Sequence, residues 1–390
     1  MNYNEKALEL HKTHKGKIEI TSKVPLENSN DLSTAYTPGV AEPCRAIHSN
    51  KDAVYTYTAK GNLVAVVSDG SAVLGLGNIG PEAAIPVMEG KSILFKAFAN
   101  VDAFPICLKS QDIDQIVDTI EQISPVFGGI NLEDIASPRC VEIERKLKER
   151  LDIPVFHDDQ HGTAIVVSAA LINALKLVNK TIDTVHIVVN GAGSAGNAIV
   201  RMLIELGAKE ITACDRRGII SRDVPQNNWV KDEIAQLTNV KRLKGTLAHA
   251  MKGADVFIGV SSKDVVSSDM ISSMANDAIC FAMANPDPEI MPDKALKAGA
   301  RIVGTGRSDF PNQINNVLAF PGVFRGALDA RASDINGPMK IAAVHAIAGL
   351  VGKNDLRDDY IIPSALDHSI ARAVSKAVYQ AAIDSGVAQI

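Results

Sequence analysis

From about residue 101 onward, short apolar runs of β type alternate with stretches whose apolar residues recur at helical spacing. "AFPICL", "FGGINL", "IPVFH", "TVHIVVN", "EITACD", "DVFIGV", "AICFAMAN" and "RIVGTG" read as strands. Between two of them, "SPRCVEIERKLKERL" sets Cys140, Ile143, Leu147 and Leu151 on one helical face behind Pro138. Such alternation predicts right-handed βαβ units, and therefore parallel sheets covered by helices on both faces. "GTAIVVSAALINALKLVNK" is apolar nearly all round, the pattern of a helix buried between layers. A domain boundary is expected near its start, dividing residues 1–160 from 161–390. The expected fold class is α/β: an N-terminal α/β domain, then a doubly wound sheet closed by a helix in "PSALDHSIARAVSKAVYQAAIDSG".

Length and composition agree with that plan. A chain of 390 residues is long for one hydrophobic core. Its net charge of −5, with no basic block longer than runs such as "RKLKER", excludes the electrostatic footprint of a nucleic-acid or membrane-surface binder. Five cysteines at 44, 107, 140, 214 and 280, without a C-x-x-C pair, point to reduced thiols and a cytoplasmic protein. The first residues are too charged for a signal-peptide core, and no apolar run approaches the ~20 residues that span a bilayer. A homodimer or higher homo-oligomer is the base-rate expectation for a cytosolic protein.

Two stretches spell G-x-G-x-x-G: "GLGNIG" at Gly75, Gly77 and Gly80, and "GAGSAG" at Gly191, Gly193 and Gly196. Only the second has the context of a dinucleotide site. "TVHIVVN" runs directly into it, "NAIVRMLIELG" continues as an amphipathic helix, and "EITACD" ends in Asp215 about 20 residues further on. The backbone from Gly191 through Ala192, Gly193, Ser194, Ala195 and Gly196 should therefore cradle the pyrophosphate of NAD or NADP in a Rossmann-type domain. Asp215 suits a free ribose 2′-hydroxyl and favours NAD, while Arg216 and Arg217 could accept a 2′-phosphate. The first stretch runs into Pro81 and a further Pro86, and Asp102 precedes its strand instead of ending it, so "GLGNIG" reads as a structural turn near the other domain's cleft.

Carboxylates carry the second signal. "NLEDIASP" and "FHDDQHGTA" place Glu133 with Asp134, and Asp158 with Asp159, at the ends of two predicted strands joined by a helix. Parallel geometry would bring both pairs to one sheet edge, where a hard divalent cation such as Mg2+ or Mn2+ is the simplest neutraliser. Solvated caps at two unrelated strand ends are the bland alternative. His157 and His161, four residues apart, raise zinc as a rival, weakened by the lack of a third nitrogen ligand.

Taken together, "AYTPGVAEPCR", "VVSDGSAVLGLGNIGPEAAIPVMEGKSILFK", "FGGINLEDI", "PVFHDDQHGTAIV", "NGAGSAGNAI" and "ANPDPEI" resemble the malic enzymes of short bacterial type over nearly the whole chain. The resemblance implies metal-dependent oxidative decarboxylation of L-malate to pyruvate with NAD or NADP. It implies Tyr36 as acid and Lys91 as base, with Asp158 orienting the lysine. It further implies Glu133, Asp134 and Asp159 as metal ligands, and Asn285 and Asn315 as substrate contacts together with Lys91. For Lys91 to act as base, its pKa is expected to fall from about 10.4 towards 7 or 8. Larger members carry an arginine for the substrate carboxylate where this chain has Ala72. An oxaloacetate decarboxylase of the same family, or a nucleotide sensor without turnover, are the competing expectations.

Overall fold

The computed structural model describes residues 3–73 and 75–390. Its first sheet has strands β1 (Leu63–Ser68), β2 (Asp102–Cys107), β3 (Gly129–Leu132) and β4 (Val155–His157) in the order β2-β1-β3-β4, all parallel. The second has β5 (His186–Asn190), β6 (Glu210–Asp215), β7 (Gly218–Ile219), β8 (Val256–Gly259), β9 (Ile279–Ala282) and β10 (Ile302–Thr305), in the order β10-β9-β8-β5-β6-β7. All its pairs are parallel except β6 with β7. Strand order reverses at β1 and again at β5. At such switch points, crossover helices leave on opposite faces and a crevice opens at the carboxyl ends of the strands.

The buried helix predicted between the layers is Asp158–Leu177, which begins directly at the end of β4 and has fourteen buried residues. It carries the chain from the first sheet to the second. The core is continuous between them: Phe95 and Phe156 from the first half share one apolar cluster with Ile187, Phe281, Phe320 and Phe324 from the second. Ring contacts of 4.7 Å (Phe95 to Phe320), 5.2 Å (Phe95 to Phe324) and 5.8 Å (Phe156 to Phe324) tie helix Phe320–Asp329 back onto the first half. The closing helix occupies Ser369–Asp384, the latter part of the segment expected for it.

Two features differ from the pattern read along the chain. Strand β1, "LVAVVS", lies inside the first sheet between β2 and β3, although regular alternation was expected only from residue 101. In addition, Pro86 does not stop a helix: Pro81–Ala99 runs through it for 19 residues. An interior proline costs a hydrogen bond and a steric clash, about 3 kcal/mol. Here burial of Ala84, Met88, Ser92 and Phe95 on one face offsets that cost. The first glycine stretch therefore does lie between a strand and a helix, and what separates it from the second is the length of the connection. Residues 69–80 intervene between β1 and its helix, but only 191–193 between β5 and helix Ser194–Glu205.

Candidate active site

The register of β3 on β4 pairs Leu132 with His157, so Glu133 and Asp158 leave the sheet side by side. Both acidic pairs thus meet at one carboxyl edge, as the βαβ link requires. Glu133, Asp134 and Asp158 are buried, and Asp159 is partly exposed. Glu133, Asp134 and Asp159 each offer a carboxylate oxygen, all within 4.8 Å of one another. Asp134 adopts a left-handed conformation (φ 54°), and its amide donates to Asp159 Oδ2 at 2.9 Å. Three carboxylates at this spacing, with Asp158 beside them, form a hard oxygen donor set whose surplus charge suits Mg2+ or Mn2+.

Helix Pro81–Ala99 brings Lys91 to this edge from its buried face. The Lys91 ammonium donates to Asp158 Oδ2 at 2.6 Å, stands 2.9 Å from Glu133 Oε1, and lies 4.2 Å over the Phe320 ring. Burial alone would lower the lysine pKa, but the charges of Asp158 and then Glu133 outweigh it and hold Lys91 well above the ordinary lysine value. The pKa near 7 or 8 expected for a base is therefore not a property of this arrangement of the chain. Burial pushes the carboxyls of Asp158 and Glu133 up, and Lys91 pulls both back. The ammonium keeps the proton because two carboxylates share it.

His161 is used otherwise. His161 Nε2 is 2.9 Å from both oxygens of Glu144, and its Nδ1 is 3.5 Å from Lys340 Nζ. Burial pushes His161 down to about 4, so at neutral pH its uncharged ring donates from Nε2 to Glu144 and presents Nδ1 to Lys340. Burial would raise Glu144, but His161, Lys148 and Lys340 draw it well below the usual carboxylate range. Glu144 also accepts the His157 amide at 3.3 Å and thereby pins the junction between β4 and the buried helix. Among the described residues, the cluster able to hold a metal is made of Glu133, Asp134 and Asp159, an oxygen-only donor set.

At the second switch point, the glycine loop leaves β5 and enters helix Ser194–Glu205 within three residues. A Cβ on Gly196 would lie 1.7 Å from the Gly191 carbonyl, whereas one on Gly193 would meet nothing within 4 Å. The loop is thus closed on itself at one glycine and open to a ligand at the other, as pyrophosphate approach to a helix N-terminus demands. Asp215 ends β6 as expected, but it is not alone: Lys231 Nζ lies 2.6 Å and Arg217 Nε 3.6 Å from Oδ2. Partial burial would raise the Asp215 carboxyl, but Lys231 and Arg217 hold it below the ordinary aspartate value. With Arg216, these groups line a cavity of about 650 Å³ that opens onto Gly191, Ala192 and Gly193.

A second cavity, of about 720 Å³, joins the two halves. Lys91, Glu133, Asp134 and Asp159 line it on one side, and Ser194, Ala195, Asn285 and Asn315 on the other. Asn315 uses its Oδ1 to accept the Val317 amide at 2.9 Å. Ala72 also lines this cavity. Tyr36 is not brought there. It ends helix Ser29–Ala35, is two-thirds exposed, and does not line the cavity.

Sequence reasoning also passed over His11 and Lys17, which line this cavity, and the Arg139 guanidinium, which donates to Asp69 Oδ2 at 2.7 Å and Ser71 Oγ at 2.9 Å behind it. No spacing rule marks such residues, because their neighbours come from distant segments.

The geometry agrees with comparisons to known proteins. Residues 15–148 match the model of the malic enzyme N-terminal domain, and residues 160–383 that of the malic enzyme NAD-binding domain. The chain is 59% identical over 391 residues to a bifunctional malic/malolactic enzyme of Bacillus subtilis (strain 168), covering 100% of this chain and 95% of that one. It is 54% identical to an NAD-dependent malic enzyme of Geobacillus stearothermophilus, covering 96% of this chain and 78% of that one. The crystal structure of a malic enzyme from Pyrococcus horikoshii superposes with a TM-score of 0.95 at 50% identity, covering 100% of this chain and 92% of that one. With acids, lysine and glycine loop arranged around one crevice and both domain models matched in order, the chain belongs to the malic enzyme family.

Proposed function

We propose that the protein catalyses oxidative decarboxylation of L-malate to pyruvate and CO2, with reduction of NAD or NADP and with Mg2+ or Mn2+ as cofactor. One observation carries the reading: Lys91, the three clustered carboxylates and the start of helix Ser194–Glu205 share a single cavity. Glu133, Asp134 and Asp159 would hold the divalent ion, which when bound supplies Lewis-acid stabilisation of the enolate oxygen. The loop from Gly191 to Gly196 would hold the dinucleotide, whose nicotinamide is the hydride acceptor for C2 of malate.

Lys91 Nζ takes the malate hydroxyl proton. Its proton affinity is tuned by two carboxylates, so engaging Glu133 elsewhere lowers the pKa and frees the amine to act as base. Asp158, fully buried at 2.6 Å, keeps the amine aimed. Asn285 and Asn315 orient the substrate from the dinucleotide side. Once CO2 has left, the Tyr36 hydroxyl protonates C3.

The exposed position of Tyr36 gives the proposed homodimer a task. Ile20, Val24, Leu26, Leu32, Tyr36 and Val40 are all exposed along one N-terminal segment, an apolar surface of the kind a second copy covers. In that assembly Tyr36 serves the cavity of the partner. Mixing Tyr36→Phe protein with Lys91→Ala protein should then restore activity that neither has alone, and no restoration would place Tyr36 within its own subunit.

On the cofactor, Asp215 by itself favours NAD, but Lys231, Arg216 and Arg217 around it offset the repulsion of a 2′-phosphate, so both dinucleotides are taken. All five cysteines are free, which fits the reducing cytoplasm proposed as its location, and no helix among the described residues is long and apolar enough to cross a membrane. The decisive assay follows absorbance at 340 nm with malate, Mn2+ and either NAD or NADP. CO2 release from oxaloacetate without reduced cofactor from malate would replace this reading with a decarboxylase. Dinucleotide binding without turnover of either acid would leave a nucleotide sensor.

A further inference from the structure

A dicarboxylate entering the cavity faces an electrostatic problem. Glu133, Asp134 and Asp159 line the wall, and Lys91 is committed to Asp158 and Glu133. The side chain at position 72 is a methyl group. Apart from Lys91, Lys17 is the one lysine or arginine among the described residues that line this cavity.

Lys17 is delivered there by a built turn. Lys15 (φ 54°) and Gly16 (φ 109°) reverse the chain after helix Tyr3–His14, and the Lys17 amide donates to Glu89 Oε2 at 3.0 Å. Glu89 belongs to helix Pro81–Ala99, so the turn is clamped onto the helix that carries Lys91. The Lys17 ammonium then donates to the Pro86 carbonyl at 2.7 Å. Pro86 precedes Gly90 by about one helical turn, roughly 5.4 Å along the axis. Gly90 lines the cavity, and a Cβ there would meet nothing within 4 Å, so open floor extends beside both lysines. Among the described residues, no carboxylate forms an ion pair with the Lys17 side chain, and its acceptor is a neutral carbonyl.

We infer that Lys17 is a substrate-specificity residue, whose ammonium binds one carboxylate of the C4 dicarboxylate and takes the place of the arginine missing at position 72. The inference rests on the malate reading of the cavity and deepens it. Burial draws the Lys17 pKa below the ordinary lysine value, with Glu89 opposing, and an arriving carboxylate relieves that cost. A clamped turn also explains why this lysine, unlike the exposed Lys12 and Lys15, is held against the cavity wall.

The test uses the assembled enzyme with Mn2+ and saturating dinucleotide. Lys17→Gln should raise the KM for malate about 10- to 100-fold, the loss expected for one charge-assisted hydrogen bond, with kcat little changed. The KM for the dinucleotide should stay constant, Lys17→Arg should recover most of the loss, and Lys12→Gln should behave as wild type. Calorimetric binding of the unreactive dicarboxylate tartronate should weaken by the same factor in Lys17→Gln. An unchanged malate KM, or an equal rise in the dinucleotide KM, overturns the assignment. A wild-type protein that fails to oxidise malate overturns the activity reading instead, and tartronate affinity in the two proteins still decides the role of Lys17.

Discussion

Two strand-to-helix crossings carry the same glycine spelling and do different work. After β5, only residues 191–193 precede the helix, and its first residues, Ser194 and Ala195, line the cavity. After β1, residues 69–80 intervene, and the glycines serve the loop's own folding and its packing on the other half. A Cβ on Gly75 would lie 2.6 Å from the Asn285 carbonyl, so this loop presses against the segment that brings Asn285 to the cavity. A short crossing makes an anion site, because the helix dipole and free amides act only within the first turn. A long crossing holds a wall, and its helix contributes a side chain, Lys91, about three turns in.

The largest expected effect separates the two crossings by chemistry. Lys91→Ala should abolish malate oxidation, by at least about 1,000-fold, since general-base catalysis and its positioning are lost together. Dinucleotide affinity, measured by fluorescence titration, should stay near normal, and retained turnover would remove Lys91 from the role of base. Next, Gly193→Val should weaken dinucleotide binding by about 100-fold or more, because its Cβ would occupy the open approach to the pyrophosphate. Gly77→Val, in the long crossing, should leave that affinity within a few fold. Equal losses would erase the distinction between the loops.

Smaller effects sharpen it. Lys231→Ala should raise the preference for NAD over NADP about 10-fold in kcat/KM, since Asp215 loses its 2.6 Å partner and repels a 2′-phosphate more strongly. An unchanged ratio would mean that Asp215 does not face the ribose. The last effect concerns stability. His161 titrates at about 4 in the folded chain and near 6.5 when unfolded, so between those values the unfolded chain binds a proton that the folded one lacks. Stability present above pH 6.5 is therefore lost as pH falls towards 4, by on the order of 3 kcal/mol. His161→Gln should flatten this dependence in urea unfolding measured from pH 7 to 4.5, and an unaltered slope would assign the acid sensitivity to other groups.

The legible parts were those whose partners are close in the chain. The strand–glycine turn–helix unit could be recognised because strand, turn, helix and Asp215 follow one another within residues 186–215. The acidic edge could be inferred because one crossover links β3 to β4, which makes their ends neighbours. Strand β1 was illegible because its partners, β2 and β3, come later in the chain and the segment before it is a series of short single turns. Helix Pro81–Ala99 was obscured by Pro86, whose local penalty is outweighed only by burial against distant residues. The state of Lys91 was misjudged for the same reason: its pKa depends on Glu133 and Asp158, which arrive from two other elements.

By itself, then, the sequence determined the βαβ plan, the strand, glycine turn and helix at residues 186–205, and the family, because periodicity, capping and short motifs are local properties of the chain. Only the tertiary structure added Glu133 to Asp158 beside Lys91 and decided that His161 pairs with Glu144. It also left Tyr36 outside its own cavity and set Lys17 in the lining of that cavity. Each of these depends on charges and contacts between residues far apart in the chain, and electrostatic energies at a few ångströms follow spatial distance, not sequence separation.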